Sequence, residues 1–345
     1  MHSVDSIPNG RPRDPLRDAL AQAVKELVWR YLIRFEPRRS PICLYGSRRS
    51  GSTLLMEVIG VNPKVMFSDQ PFSVYTATRA NVNQLPIFSY GQSACPDSEE
   101  EEILARYIER LFSGQTRANI PWKVWSPEFH FRNDRVCLKI TDAKSLIEWI
   151  DSRFDVSTVV LTRHPIAQAL SVANVGWMTT GKGLLRNSKF VEQWLDGDQE
   201  AFCWERYNNG SDLERRVTDW ALENIPILSR LKANPHWLFI AYEDLVQYPD
   251  RVVTVLSDKL DLPDRKRMIE RVSRPSRSAK RLSTDERQRL IQRGDPAKLL
   301  NSWRSKISEE EIRNCFRVLD RLHIDLYRVD DPVPDHRRVG RDGFA

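Results

Sequence analysis

"YGSRRSGSTLL", Tyr45 to Leu55, decides how this chain is read. Glycines at 46 and 51 and a threonine at 53 have the spacing of a Walker A loop, but Ser52 stands where that pattern has a lysine. The flanks supply the context. "ICLY" (42–45) is an apolar run that reads as a buried strand ending at a glycine, and "STLLMEVIG" (52–60) reads as a helix. A strand–loop–helix unit aims backbone N–H groups and the positive end of a helix dipole at one spot, which binds an anion. The Walker lysine reaches the outer phosphates and the Ser/Thr holds magnesium. Without that lysine the loop is poorly equipped for a triphosphate. It offers instead Arg48 and Arg49 and the hydroxyls of Ser50, Ser52 and Thr53. This set suits a short anionic group neutralised by protein donors rather than by a metal, such as a phosphosulfate mixed anhydride.

Outward from the loop, strands alternate with helices. "RVCLKIT" (135–141), "VSTVVLTRHP" (156–165) and "HWLFIAYEDL" (236–245) read as three further strands. Helices are predicted over 16–35, 97–112 and 52–60, and near 250–260. Two more open at capping-box matches, Ser211 with Glu214 and Ser308 with Glu311. The first of these is expected to kink at Pro226, and the second to run through Tyr327. The pattern predicts one α/β domain, a central mainly parallel sheet flanked by helices with a P-loop-like fold, over 15–328. Residues 1–14 read as a loose leader, 264–298 mostly as solvated helix surface, and 329–345 as a C-terminal tail. No internal repeat is present.

With 345 residues, 41% hydrophobic and 29% charged, the chain is a soluble globular protein rather than a disordered one. A net charge of +6 favours anionic partners. There is no aromatic-basic signature of an RNA-binding sheet and no zinc-finger spacing, so nucleic acid is not the expected partner. The cysteines, at 43, 95, 137, 203 and 315, form no C-x-x-C pair and suggest reduced thiols in a cytoplasmic protein. The N-terminus lacks a signal peptide's apolar core, and no apolar run approaches the roughly 20 residues that span a bilayer. The histidines are dispersed, with no metal-ligand spacing.

A second segment, "VVLTRHPIAQALSVA" (159–173), strengthens the loop's reading. Arg163 falls at a strand's carboxyl end, where open α/β sheets bind ligands. Pro165 opens a helix, and Ser171 lies two turns into it. An arginine and a hydroxyl so placed suit a further phosphate.

Together the two segments resemble the sulfotransferase superfamily, nearest to its bacterial and carbohydrate-type branch. "RRSGSTLL" (48–55) is similar to the 5′-phosphosulfate loop, and "VVLTRHPIAQALS" to the 3′-phosphate motif, whose arginine and serine are eight residues apart. "YEDLVQYP" (242–249) and "LLNSWRSKISEEE" (299–311) resemble two further family segments, the latter a Trp-containing loop that closes over the nucleotide. The resemblance spans about 40 to 327. It implies 3′-phosphoadenosine 5′-phosphosulfate (PAPS) as donor, with metal-independent in-line transfer of a sulfuryl group to a hydroxyl or amine.

The resemblance also implies roles. Arg48, Arg49, Ser50, Gly51, Ser52, Thr53 and Leu54 would hold the phosphosulfate, and Arg163 and Ser171 the 3′-phosphate. Trp303 would cover the nucleotide. Arg49 would stabilise the leaving oxygen, as preorganised donors do at a developing oxyanion. Lys139 would help neutralise the sulfuryl group. Relatives place a glutamate base before a proline, where this chain has "FSDQP" with Gln70 before Pro71. A glutamine takes no proton, so Asp69 is the first candidate base, with Asp142 and His164 as alternatives. Glu57 reads as structural.

Trp122, Trp125, Trp177 and Trp194 fall where the superfamily builds acceptor walls, although tryptophan is highly buried on average and core packing explains most such residues. The acceptor, a small molecule, glycan or specialised metabolite, stays open, as does the oligomeric state. Competing classes are a P-loop kinase, a non-catalytic nucleotide- or glycan-binding relative, and a basic nucleic-acid binder.

Overall fold

The structure is a computed structural model that describes residues 31–72, 98–116, 126–282 and 293–344, with isolated positions among 24–28 and 285–290. The predicted leader, most of the predicted helix 16–35, and Trp122 and Trp125 lie outside the described residues.

Among the described residues the strands are β1 (Arg34–Phe35), β2 (Ile42–Gly46), β3 (Val65–Asp69), β4 (Arg132–Asn133), β5 (Arg135–Ile140), β6 (Ser157–Thr162) and β7 (Leu238–Ala241). Five of them form one parallel sheet in the order β3-β5-β2-β6-β7, and β1 pairs with β4 separately. The helices that matter to the site are α1 (Ser52–Gly60), α2 (Ser98–Phe112), α3 (Pro165–Ala173), α4 (Gly181–Leu185), α5 (Asp212–Leu228), α6 (Tyr242–Gln247), α7 (Pro249–Leu260), α8 (Arg265–Val272), α9 (Arg277–Leu282), α10 (Pro296–Asn301) and α11 (Glu309–Arg321). None of the described helices is long and apolar enough to cross a membrane.

Period-two geometry explains why β2 is apolar throughout. Ile42 and Leu44 point to one face of the sheet and Cys43 and Tyr45 to the other, and each face is covered. The first face packs under α1, α7 and α8 through Leu55, Ile59, Val253, Leu256 and Met268. The second packs under α3, α5 and α11 through Ile166, Ala169, Val217, Trp220 and Phe316. Burying each such side chain contributes roughly 1.5–3 kcal/mol.

β2 leads through α1 toward β3 on one side of the sheet, while β6 leads to β7 on the other. The chain therefore changes direction between β2 and β6. A crevice opens outside the carboxyl ends of strands at such a point. The glycine loop and Arg163 both sit there.

Four boundaries differ from the sequence reading. β3 was not anticipated, because its five residues end in Ser68 and Asp69 and show little β-branching. Arg34 and Phe35 form a strand rather than the end of a helix, paired with Arg132 and Asn133. The strand predicted over 236–245 stops at Ala241, where Asp244 accepts the Ala241 N–H (2.9 Å) and starts α6. The last helix stops at Arg321, and His323 takes a left-handed φ of 55°.

Beyond it, residues 329–344 lie against the domain. Val339 joins the core, and Arg341 donates to the carbonyls of Leu231 (2.8 Å) and Asn234 (2.6 Å).

Both anticipated capping boxes form. Ser211 accepts the Glu214 N–H (3.2 Å) and Glu214 accepts the Ser211 N–H (2.8 Å), with Pro226 inside the helix they open. Ser211→Ala is expected to destabilise the protein by about 1 kcal/mol. Urea denaturation should show a lower midpoint with an unchanged slope, and an unchanged midpoint would mean that the cap contributes nothing to α5.

Candidate functional site

The loop between β2 and α1 is shaped by two left-handed residues, Arg49 (φ 64°) and Gly51 (φ 100°). Gly51 caps α1 without any side-chain acceptor. The first-turn N–H groups of a helix have no intrahelical partner, so this end presents donors to an anion. A methyl group at Gly51 would meet the Tyr242 ring at 2.5 Å, so only glycine fits both the backbone and the space.

The segment after β6 holds the loop from the side. Arg163 Nη1 donates to the Arg49 carbonyl (2.9 Å), and Gln168 Nε2 donates to the Arg48 carbonyl (2.5 Å). With two successive carbonyls turned toward α3, the loop conformation is set. Arg163 also stacks over Tyr242 at 4.8 Å, and its own carbonyl accepts from the Trp220 indole (3.0 Å). The Arg49 side chain reaches across to Ser171, with Nε 3.0 Å from Oγ, and to Ser278, with Nη1 2.9 Å from Oγ. The two motifs thus converge on one crevice, as expected, although Arg49 lies against the serine expected at the other phosphate.

That crevice has a volume of about 670 Å³. Arg49, Arg163, Ser276 and Ser278 give it a polar wall, and Val246, Ile269, Val272 and Leu299 an apolar one. Gly51, Ser52, Thr53 and Leu54 form its floor. The described part of the segment 264–298 is therefore only partly solvated surface.

The "YEDL" residues brace this arrangement. Glu243 accepts the His164 N–H (3.0 Å) and the Tyr327 hydroxyl (2.9 Å). Burial pushes its carboxyl up to about 7, against the pull of the His164 N–H and Arg163. Asp244 starts α6 and pairs with buried His336 (2.9 Å).

Several predicted site residues lie elsewhere. Arg48 turns away from the crevice: its guanidinium donates to Thr180 Oγ1 (3.2 Å) and lies 5.7 Å from the Trp177 ring. The left-handed turn at Arg49 separates the two arginine side chains. Trp303 does not cover the crevice. It is 4% exposed and stacks on His164 at 4.5 Å, because its segment turns inward and leaves Pro296 and Leu299 at the crevice.

Ser50 is buried behind the loop. Glu57 is structural: it takes the Arg277 N–H (3.0 Å) and an ion pair from Arg271, docking the segment after α8 onto α1. Trp194 is half-buried against the core, while Trp220 and Trp237 are within it.

The three base candidates sit in different surroundings. Asp69 is held in ion pairs with Lys139 Nζ (2.5 Å) and Arg277 Nη2 (3.2 Å). Lys139 is correspondingly engaged by Asp69. His164 has its ring buried among Trp303, Phe316 and Tyr327, and burial together with Arg304 and Arg163 lowers it to about 3. The ring is therefore uncharged at neutral pH and packs among these aromatic neighbours.

Asp142 follows β5, next to β2 in the sheet. Thr141 donates to its Oδ1 (3.2 Å), while Oδ2 is buried with no hydrogen-bond partner among the described residues. Burial raises the carboxyl to about 6, with Arg48 and Lys139 acting in the opposite sense.

Reading the residues in sequence missed Gln168, Tyr242 and Ser278. Tyr242 was placed within a strand, and the other two carried no pattern. Among the described residues, no group of three or more His, Cys, Asp or Glu is placed to hold a metal ion.

No protein-family model and no curated protein matches this chain. Solved structures do. The chain is similar to the sulfotransferase domain from the curacin biosynthetic pathway, with a TM-score of 0.41 and 17% identity over 85% of this chain and 100% of that one. It is similar to the sulfotransferase domain from the Synechococcus PCC 7002 olefin synthase, with a TM-score of 0.40 and 17% identity over 85% of this chain and 98% of that one. It is also similar to retinol dehydratase in complex with androsterone and the inactive cofactor PAP, with a TM-score of 0.37 and 15% identity over 84% and 82%. Likenesses this weak carry no functional argument, and the function is read from the site.

Gly51→Ala should test the loop's geometry. Gly176 also has a left-handed φ (70°), but nothing lies within 4 Å of an added methyl there. Forcing alanine into that conformation costs roughly 1–2 kcal/mol at either position. Gly51→Ala should lose distinctly more stability than Gly176→Ala in denaturant melts. Equal losses would mean that Tyr242 does not press on the loop.

Proposed function

We propose that this chain is a sulfotransferase of the PAPS-dependent superfamily, transferring a sulfuryl group to a hydroxyl or amine of a small-molecule or glycan acceptor. One observation carries the reading: Arg163, from the second motif, is hydrogen-bonded to the loop of the first at Arg49. A single crevice is then lined by cations, hydroxyls and helix-start N–H groups at one end and by apolar residues along a wall.

The residues present fit such a donor. A volume of about 670 Å³ lies within the range of small-molecule sites. Arg49, Arg163 and the start of α1 bring like charges together, and a polyanion relieves their repulsion. When bound, PAPS supplies a sulfuryl group on a nucleotide leaving group, and the acceptor's new bond to sulfur forms as the bridging S–O bond breaks.

The chain's own residues then have distinct tasks. The N–H groups at the start of α1, with Ser52 and Thr53, receive the phosphosulfate end. Arg163 and Ser171 receive the 3′-phosphate. Arg49 lies between these two ends and exchanges its serine partners for phosphate oxygens. Val246, Ile269 and Leu299 take the apolar face of the base and exclude water. Asp142 accepts the acceptor's proton at Oδ2, in place of Asp69, which stays in its ion pairs with Lys139 and Arg277.

Incubating the protein with PAPS carrying radioactive sulfur and a panel of hydroxyl and amine acceptors tests the function. Label should reach at least one acceptor with magnesium chelated. Failure across the panel, together with no affinity for the donor, would sink the reading. Ser171→Ala should weaken preference for 3′-phosphorylated over plain adenosine nucleotides roughly ten- to a hundredfold. Unchanged preference would remove Ser171 from the phosphate site.

Turnover should also fall as pH drops through about 6, where Asp142 becomes protonated and no longer accepts a proton. Asp142→Asn should abolish this limb along with most of the rate. A limb that persists in Asp142→Asn would assign the base elsewhere.

A further inference from the structure

One wall of the crevice is held by charged residues to which the proposed chemistry gives no task. Ser276 and Ser278 line that wall, and Ser278 Oγ accepts from Arg49 Nη1 (2.9 Å) across the crevice. Ser276 Oγ accepts the Ala279 N–H (3.0 Å), at the turn that opens α9. Arg277 stands between the two serines and does not line the crevice itself. Its N–H is accepted by Glu57 Oε1 (3.0 Å) on α1. Its guanidinium reaches Asp69 Oδ2 (3.2 Å) at the carboxyl end of β3, 208 positions away in sequence.

Both anchors are themselves fixed. Glu57 is buried, and its other oxygen pairs with Arg271. Asp69 and Lys139 are register partners on adjacent parallel strands, with Lys139 Nζ 2.5 Å from Asp69 Oδ1. The Gln70 N–H donates to the Lys139 carbonyl (2.8 Å), so the end of β3 stays pinned one residue further. Two acids, one on α1 and one on β3, therefore grip a single residue of the wall. One takes its backbone and the other its side chain.

We propose that the Asp69–Arg277 ion pair is a latch on the nucleotide crevice, and that Asp69 is a positioning residue for nucleotide binding. The pair holds the Ser276–Ser278 wall in place before the ligand arrives, so the ligand need not order it. This rests on the nucleotide reading of the crevice given above. The Arg277 side chain is 43% exposed, so the latch contributes modestly. Its loss leaves the Glu57 anchor in place. The effect falls on affinity rather than on the transfer step.

Arg277→Met removes the charge and keeps the length, Arg277→Lys restores a cation, and Asp69→Asn removes the other partner. Three quantities are read on each: affinity for 3′-phosphoadenosine 5′-phosphate by calorimetry, kcat at saturating PAPS, and melting temperature. Arg277→Met and Asp69→Asn should each weaken nucleotide binding roughly three- to fivefold, with kcat changed less than about twofold. Arg277→Lys should recover most of the affinity. The double variant should bind no more weakly than either single one, because both open the same latch. The sign for Asp69→Asn is decisive, since removing a negative charge would by through-space attraction alone tighten binding of a polyanion. Asp69→Asn also leaves Lys139 without its partner and endangers folding; if it melts early, the Arg277 variants decide. Unchanged affinity in Arg277→Met overturns the latch and leaves the transfer reading intact. So does a loss that Arg277→Lys fails to recover, or an Asp69→Asn variant that keeps its affinity and loses kcat. A wild-type protein that does not bind the nucleotide overturns both.

Discussion

The site depends on one bond, from the Arg163 guanidinium to the Arg49 carbonyl. It ties the turn after β6 to the turn after β2 at the place where the sheet changes direction. It also keeps Arg49 in a left-handed conformation that an ordinary residue adopts at a cost of about 1–3 kcal/mol. The surrounding structure supports that conformation. Gln168 holds the preceding carbonyl, and Tyr242 fills the space beside Gly51. Like charges are thereby gathered near a helix N-terminus, the arrangement that the proposed polyanionic donor would relieve.

The loop is braced from two sides by different chemistry. On the crevice side the contacts are a cation over a tyrosine ring and bonds from guanidinium groups to hydroxyls, which an entering anion can replace. On the far side they are a buried ion pair, Lys144 with Glu223, whose lysine donates to Ser47, and the Asp219 carboxylate, closed by the N–H groups of Thr180 and Gly181 and by the Tyr207 phenol. Groups so buried are costly to disturb once either partner is lost. One side exchanges partners with a ligand, and the other stays fixed. This contrast suits a five-residue turn to both the proposed nucleotide binding and the proposed transfer step.

Much of this was legible in the residues themselves. The β2 loop announces itself by glycine spacing, and Arg163 by its place after a β-branched run and before Pro165. The eight-residue step from Arg163 to Ser171 matches the 3′-phosphate motif that the chain resembles, and Arg49 and Arg163 line one crevice. What stayed hidden depends on burial and side-chain direction. Nothing in "FSDQP" indicates that Asp69 is caught between Lys139 and Arg277, one of them 208 positions away. Nothing in "KITD" indicates that Asp142 is desolvated. Trp303 matches a motif yet faces inward, because its partner His164 belongs to a distant turn. The short β3 escaped notice since its last two residues are polar.

The central claim is that this crevice takes an adenosine nucleotide phosphorylated at both the 3′ and 5′ ends, through guanidinium and N–H groups. Calorimetric titration in a chelating buffer tests it most directly, comparing 3′-phosphoadenosine 5′-phosphate with adenosine 5′-phosphate and with adenosine triphosphate. The account predicts one site per chain for the doubly phosphorylated nucleotide, at least tenfold weaker binding of the other two, and loss of that site in Arg163→Ala. Equal binding of all three, or a requirement for magnesium, would contradict it.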